Sequence, residues 1–254
     1  MTATSTLTFT LGLILGSFFN VVIYRLPRGG SIITPPSHCP SCNTRLKVVD
    51  LIPIISFLLS GGKCRYCGEK ISWQYPIVEA LTGILFLLTY LKFGLSKETL
   101  IFLFLVSYLI IISFIDLHEQ IIPNVLSYSG IIIGLILSIF FNHISFVDSL
   151  LGLLIPAGAL LIIAIIFKGG MGIGDVKLVG MIGTFIGFKY TLIGIFLGAF
   201  IGSVVGIAKL VKGDIERKTP IPFGPFINIG ALIMLFAGDE IINLYWELVF
   251  RYLV

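Results

Sequence analysis

The chain has 254 residues, of which 57% are hydrophobic and only 12% charged, and its mean hydropathy is +1.07. A soluble domain carries roughly 25% charged residues, so these figures exclude a water-soluble enzyme with a large core and require a polytopic membrane protein. The net charge of +4 is too small to call for a nucleic-acid partner.

A helix that crosses the hydrocarbon core needs about 20 predominantly apolar residues. The first apolar run, 7–24, fits and closes on Arg25 and Arg28. It lacks a basic region before it and a clear small-residue cleavage site after it, so it reads as a retained span. Residues 25–74 are polar and turn-rich and hold all four cysteines. Within them, 51–59 is apolar but too short to span, and is expected on the membrane surface or against the bundle. Further spans are expected over 76–95, 99–115, 125–141, 148–167, 176–188, 190–210 and 226–245. The expected fold is an all-α polytopic membrane protein of about eight transmembrane helices. It divides into a first helix (1–25), a small zinc-ribbon-like insert (26–75) and a transmembrane domain (76–254).

Lys and Arg report orientation, because cytoplasmic loops collect them. With the cysteine insert placed in the cytoplasm and the spans alternating from there, thirteen of the 17 basic residues fall on the cytoplasmic side. The other four are Lys92, Lys97, Lys189 and Arg251. This orientation puts both termini outside, and Asp116 and Asp175 together on the cytoplasmic side.

Cys39-Pro-Ser-Cys42 and Cys64-Arg-Tyr-Cys67 are two CxxC pairs separated by 21 residues. Two such knuckles suit a closed tetrahedral thiolate site for Zn²⁺. Two disulfides, redox dithiols or an iron site would use the same residues, but a cytosolic location argues against disulfides. His38 adjoins the first pair and reads as a solvated neighbour.

Two aspartates stand beside apolar runs. Asp116 ends one run and is followed by a polar break through Pro123-Asn124, and Asp175 follows the glycine-rich stretch 169–174 and opens the next. An acid beside a span is costly and is usually paired, solvated or functional. Two carboxylates sharing a site cannot both ionise cheaply. One can then take a proton from water while the other, protonated, polarises a carbonyl and donates to a leaving amine. Gly172 and Gly174 beside Asp175 are expected to allow unusual backbone angles and close approach of a substrate strand. His118, Glu119 and Lys177 read as interface charges. Glycines at 194, 198, 202 and 206, at 183 and 187, and at 130 and 134 are spaced for tight helix packing in lipid.

The ordered set of motifs resembles one family along nearly the whole chain. Gly16-Ser-Phe-Phe-Asn-Val-Val-Ile-Tyr-Arg-Leu-Pro27 resembles its opening segment. The paired CxxC insert, Gly62-Lys63-Cys64-Arg65 and Tyr75-Pro-Ile-Val-Glu79 resemble its cytoplasmic domain. Asp116 to Asn124 is similar to its first active-site motif, Gly172-Ile-Gly-Asp175 to its GxGD motif, and Pro222-Phe-Gly-Pro-Phe226 to a late loop. The family is that of the prepilin peptidases, membrane aspartic peptidases of type IV pilus, secretion and competence systems.

The resemblance implies cleavage of prepilin or pseudopilin leaders at the cytoplasmic face of the bacterial inner or cytoplasmic membrane by Asp116 and Asp175. It also implies N-methylation of the new terminus with S-adenosylmethionine, in a region marked by Gly62, Lys63 and the cysteines. One departure is that the first motif ends in Pro-Asn, where relatives commonly carry an acid. A peptidase without methyl transfer, a proton-coupled transporter and a membrane-anchored zinc-ribbon adaptor are the competing readings. A transporter predicts acids near mid-span and symmetry between the halves, and an adaptor needs neither Asp116 nor the glycine loop.

Overall fold

The computed structural model describes residues 3–167, 172–213, 216 and 220–253, with side chains through 249. Lys168 to Met171, Arg217, Lys218 and the side chain of Arg251 lie outside the described residues. Long apolar runs must satisfy their own backbone groups in lipid, and helices do so within one segment. The helices are α1 (Ala3–Arg25), α2 (Ile55–Leu59), α3 (Gln74–Phe93), α4 (Lys97–Glu119), α5 (Asn124–Phe141), α6 (Phe146–Ile166), α7 (Ile173–Lys212) and α8 (Gly224–Leu253). Among the described residues, seven of them, all but α2, are long and apolar enough to cross a membrane.

The difference from the expected eight lies in α7. It runs 40 residues and is broken at Gly187, where φ is 77° and ψ 174°. The two spans expected at 176–188 and 190–210 are its two arms. Gly187 is therefore a break and not one of the packing glycines. A Cβ at this position would lie 2.1 Å from Asp148 Oδ2, and Asp148 Oδ1 accepts a hydrogen bond from the Phe188 N–H at 3.2 Å. The carboxylate thus satisfies a donor that the break leaves free at the start of the second arm.

The chain forms two compact units, Met1–Ile111 and Ile112–Val254. In the first, α1 and α3 pack backbone to backbone. A Cβ on Gly12 would meet Gly83 Cα at 2.7 Å, and one on Gly16 would meet Glu79 Cα at 2.8 Å. Asn20 Nδ2 donates to the Tyr75 carbonyl at 3.2 Å. These contacts run antiparallel, so α1 ends where α3 begins.

In the second unit, α7 packs against α5, α6 and α8. Its first arm is the core: Leu178, Met181, Ile182 and Phe185 are fully buried. Small residues set the spacing, as expected in lipid. A Cβ on Gly183 would strike Gly152 O of α6 at 1.9 Å, and one on Gly198 would strike Phe226 O of α8 at 2.5 Å. The arm that carries Asp175 is thereby seated against α6, and against α5 where a Cβ on Gly134 would strike Thr184, while the second arm meets α8.

Candidate active site

Asp116 sits in the last turn of α4 and is only 5% exposed. Its backbone carbonyl accepts from Gln120 N at 3.0 Å. Gln120 has φ 53°, so the chain leaves the helix there, and its Nε2 donates to Pro220 O at 3.3 Å. That contact brings the start of α8 to the acid. The Gly224 N–H donates to Asp116 Oδ2 at 2.9 Å. A Cβ on Gly224 would sit 2.8 Å from the same oxygen, so only glycine allows this approach without displacement. Sequence reasoning noted the Pro222–Phe226 loop but gave it no role, because a backbone donor carries no residue signature. Next to Asp116 on the same helix, Ser113 Oγ accepts from Asn228 Nδ2 at 2.8 Å, a second tie between α4 and α8.

Asp175 lies in the first turn of α7 and is 9% exposed. Gly172 is the N-cap, with φ −78° and ψ 141°, a conformation open to any residue, and its carbonyl accepts from Asp175 N at 3.1 Å. Gly174 is helical. The glycines at 172 and 174 are therefore not needed for unusual backbone angles. Gly174 instead makes close approach possible, since a Cβ there would meet Ile122 Cβ at 3.1 Å, a tight contact. Ile122 also lies 3.5 Å from a Cβ built on Gly224. Ile122 thus stands between Gly174, beside Asp175, and Gly224, whose N–H holds Asp116. Two complete spans, α5 and α6, separate the acids in sequence, so both emerge on one side of the membrane. Lys177 Nζ donates to Asn124 Oδ1 and lies 5.4 Å over the Tyr128 ring. It ties the start of α7 to the start of α5.

The four cysteines of the insert are free thiols, and their sulfurs all lie within 4.8 Å of one another. Zn–S bonds of about 2.3 Å in a tetrahedron put sulfurs roughly 3.8 Å apart; Cys39 and Cys67 are at 3.9 Å. The donor set fits a tetrathiolate ion. The two knuckles repeat one backbone plan. Asn43 N donates to Cys39 O at 2.8 Å and Gly68 N to Cys64 O at 2.9 Å, while Cys39 N donates to Thr44 O and Cys64 N to Glu69 O. Asn43 and Gly68 both take positive φ, at 55° and 75°. Hydrogen bonding by Thr44, side chain first and then backbone, pulls the Cys42 thiol down to about 6. The backbone N–H groups of Tyr66 and then Cys67 lower Cys64. At these two cysteines, donors aimed at sulfur favour the thiolate, the form that binds metal, whereas, against a Glu69 backbone hydrogen bond, burial and the neighbouring thiols push Cys67 up to about 12. His38 stands outside the set, its Nδ1 3.0 Å from the Pro36 carbonyl.

Residues 10–93 match the Bacterial Peptidase A24 N-terminal domain, and residues 103–207 match the Type IV leader peptidase family. The Bacillus subtilis prepilin leader peptidase/N-methyltransferase is 39% identical over 241 residues, covering 93% of this chain and 96% of that protein. This chain belongs to the type IV leader peptidase family. Proteins of the same name from Pseudomonas aeruginosa and Neisseria gonorrhoeae are 33% and 32% identical over 94% and 91% of this chain, and over 92% and 90% of their own lengths. No solved structure matches the chain. The first match contains the cysteine knuckles, and the second contains Asp116, Asp175 and the polar segment that follows Asp116.

Gly62 and Lys63, the other residues singled out in the sequence, lie in the insert of this family member. They line an open cleft of about 450 Å³ with Phe57, Lys70 and Trp73. Gly62 has φ 69°, and a Cβ on it would lie 3.2 Å from the Phe57 ring. Phe57 and Trp73 are in ring contact, their centroids 4.9 Å apart.

Proposed function

We propose that this protein is a membrane aspartic endopeptidase that removes the leader of type IV prepilins or pseudopilins at the cytoplasmic face of the bacterial cell membrane. It then methylates the new N-terminal amine with S-adenosylmethionine. The observation that carries the peptidase reading is the pair of buried carboxylates, Asp116 and Asp175, at span ends on one membrane side, with Ile122 against both Gly174 beside Asp175 and Gly224, whose N–H holds Asp116.

In this reading the dyad holds one proton. The ionised carboxylate accepts a proton from a water molecule, whose oxygen attacks the scissile carbonyl. The protonated carboxylate hydrogen-bonds the carbonyl oxygen and supports the charge that develops there. Collapse of the tetrahedral species breaks the C–N bond, and the leaving amine takes a proton from the dyad. The Gly224 N–H fixes one Asp116 oxygen, and the other is the one available for the proton transfers. Burial of both acids at span ends, not mid-span, favours this over a proton pathway.

Cys39, Cys42, Cys64 and Cys67 would hold zinc as a structural staple, since a closed set of four protein ligands leaves no open position. S-adenosylmethionine supplies an electrophilic methyl group when bound. In the cleft of the insert, the Trp73 and Phe57 rings offer an aromatic wall, and Lys63 and Lys70 offer cations for a carboxylate. Gly62 and Lys63 are the residues we assign to this step.

The test incubates the reconstituted full chain with a prepilin and methyl-labelled S-adenosylmethionine. Cleavage followed by label on the mature terminus is the expected result. Lys63→Ala is expected to spare cleavage and reduce labelling. Cleavage without label would leave a peptidase alone, and neither event would sink both assignments.

A further inference from the structure

The apolar stretch 51–59 is too short to cross a membrane, yet it is not part of a core. Phe57 is the only buried residue of α2. Ile55 and Leu59, one turn apart on α2, are 54% and 78% exposed, and Ile52, just before the corner, is 41% exposed. In water such a stripe would be a liability or an interaction surface.

Its depth is set by one hydrogen bond. The Ile54 N–H donates to Glu79 Oε2 at 2.7 Å. Glu79 is in the second turn of α3, five residues from its start, and is buried. The 20 residues of α3 make a helix of about 30 Å, which equals the thickness of the hydrocarbon core with nothing to spare. Glu79 therefore lies about 7 Å along the axis from the membrane-surface end of α3, and Ile54 is pinned at the same depth.

The backbone of the stretch is built for that depth. Ile54 takes φ 61° and ψ −48°, a strained conformation for a β-branched residue. Beyond the Ile54–Glu79 bond, Ile55 N donates to Pro53 O, Ser56 N to Ile52 O and Leu58 N to Ile54 O. The N–H groups of Ile54, Ile55, Ser56 and Leu58 are thus satisfied within the protein, as irregular backbone at membrane depth must be. A corner in water has no such need.

We infer that residues 52–59 form an interfacial wedge. The Ile52, Ile55 and Leu59 side rests among lipid chains just below the headgroups of the leaflet where α1 ends and α3 begins. The partner is the bilayer itself, and the lipid-facing surface of α3 continues into the wedge. Glu79 is the positioning residue: it accepts the Ile54 N–H, which the strained corner turns away from its own backbone. The second cysteine knuckle begins at Cys64, a few residues beyond Leu59, so the wedge tethers that knuckle to the membrane surface.

Depth-dependent quenching tests this. Single tryptophans are placed by Ile55→Trp, by Leu59→Trp and, as a water-facing reference, by Ser41→Trp, each in the full chain carrying Trp73→Phe and Trp246→Phe. The proteins are reconstituted in vesicles of phosphatidylcholine brominated at shallow acyl carbons. Positions 55 and 59 are expected to lose emission relative to non-brominated vesicles, while position 41 keeps it, with metal content equal in all three. Emission at 55 and 59 as unquenched as at 41 would overturn the inference. The unsubstituted chain supplies the second measurement: a photoactivatable acyl-chain lipid should crosslink to the peptide containing 52–59, and its absence there, with crosslinks on α3, would equally overturn it.

Discussion

The Gly224 N–H and the Asp116 carboxylate are joined at 2.9 Å, so the first residue of α8 orients an acid on α4, 108 residues earlier in the chain. A Cβ at 224 would stand 2.8 Å from the oxygen it orients. Gly224→Ala is expected to keep the fold and displace Asp116. Misplacement of a catalytic group by about 1 Å costs on the order of 100-fold in rate. Prepilin cleavage by the reconstituted variant should fall by about that factor, with an unchanged thermal midpoint. A rate equal to the parent's would show that Asp116 does not need this contact.

Gly187→Ala tests the break in α7. The substitution puts a Cβ 2.1 Å from Asp148 Oδ2 at a positive φ. Strained positions of this kind cost about 1–3 kcal/mol each, and the clash adds to that. A lower thermal midpoint in detergent is expected, larger than for Gly158→Ala, where a Cβ meets nothing within 4 Å.

Much of this architecture was legible in the sequence, because lipid imposes a length and a polarity on every span. The runs from Leu7, Pro76 and Thr99 lie in α1, α3 and α4, and the paired CxxC spacing anticipated the four-sulfur cluster. The parts that escaped are contacts made by backbone. Gly187 sits four residues after Gly183, in a pattern that packing alone explains, and only its φ shows the break. Gly172 and Gly174 looked like permissive hinges; one is an ordinary N-cap and the other makes room for Ile122. The Glu79–Ile54 bond joins a span to a loop and leaves no trace in periodicity.

Metal removal separates the two halves of the chemistry. Cys64→Ser removes one of four thiolates, and a chelator removes the ion outright. Both are expected to lower bound metal and to unfold the knuckles locally. Cleavage by Asp116 and Asp175 should persist while methylation of the product is lost. Metal analysis beside a two-step assay checks this; loss of cleavage on chelation would tie the metal to the peptidase.

Asp50 gives the insert an acid limit. It accepts from Tyr66 Oη at 2.7 Å and from Lys47 N at 3.0 Å, and Arg65 Nε lies at 3.4 Å. The Tyr66 hydroxyl first, then the Lys47 N–H and the Arg65 charge, holds its carboxyl below the ordinary 3.8. A lowered folded value means stabilisation that is complete above 3.8 and lost as pH falls below it, through the folded value. Amide exchange at Lys47 should therefore stay protected at pH 5 and speed up only below about pH 3.8. In Asp50→Ala that acid-dependent step should be absent.

The central claim is that Asp116 and Asp175 act as one dyad. The most direct measurement is single-turnover cleavage of a prepilin by the reconstituted full chain, compared with Asp116→Asn, Asp175→Asn and the double variant. Loss of a positioned acid or base costs about 100- to 10,000-fold, and groups that act as a unit are not additive. Each single variant should lose that much, and the double variant should be no worse than either. Cleavage that survives Asp175→Asn, or two losses that multiply in the double variant, would contradict the dyad.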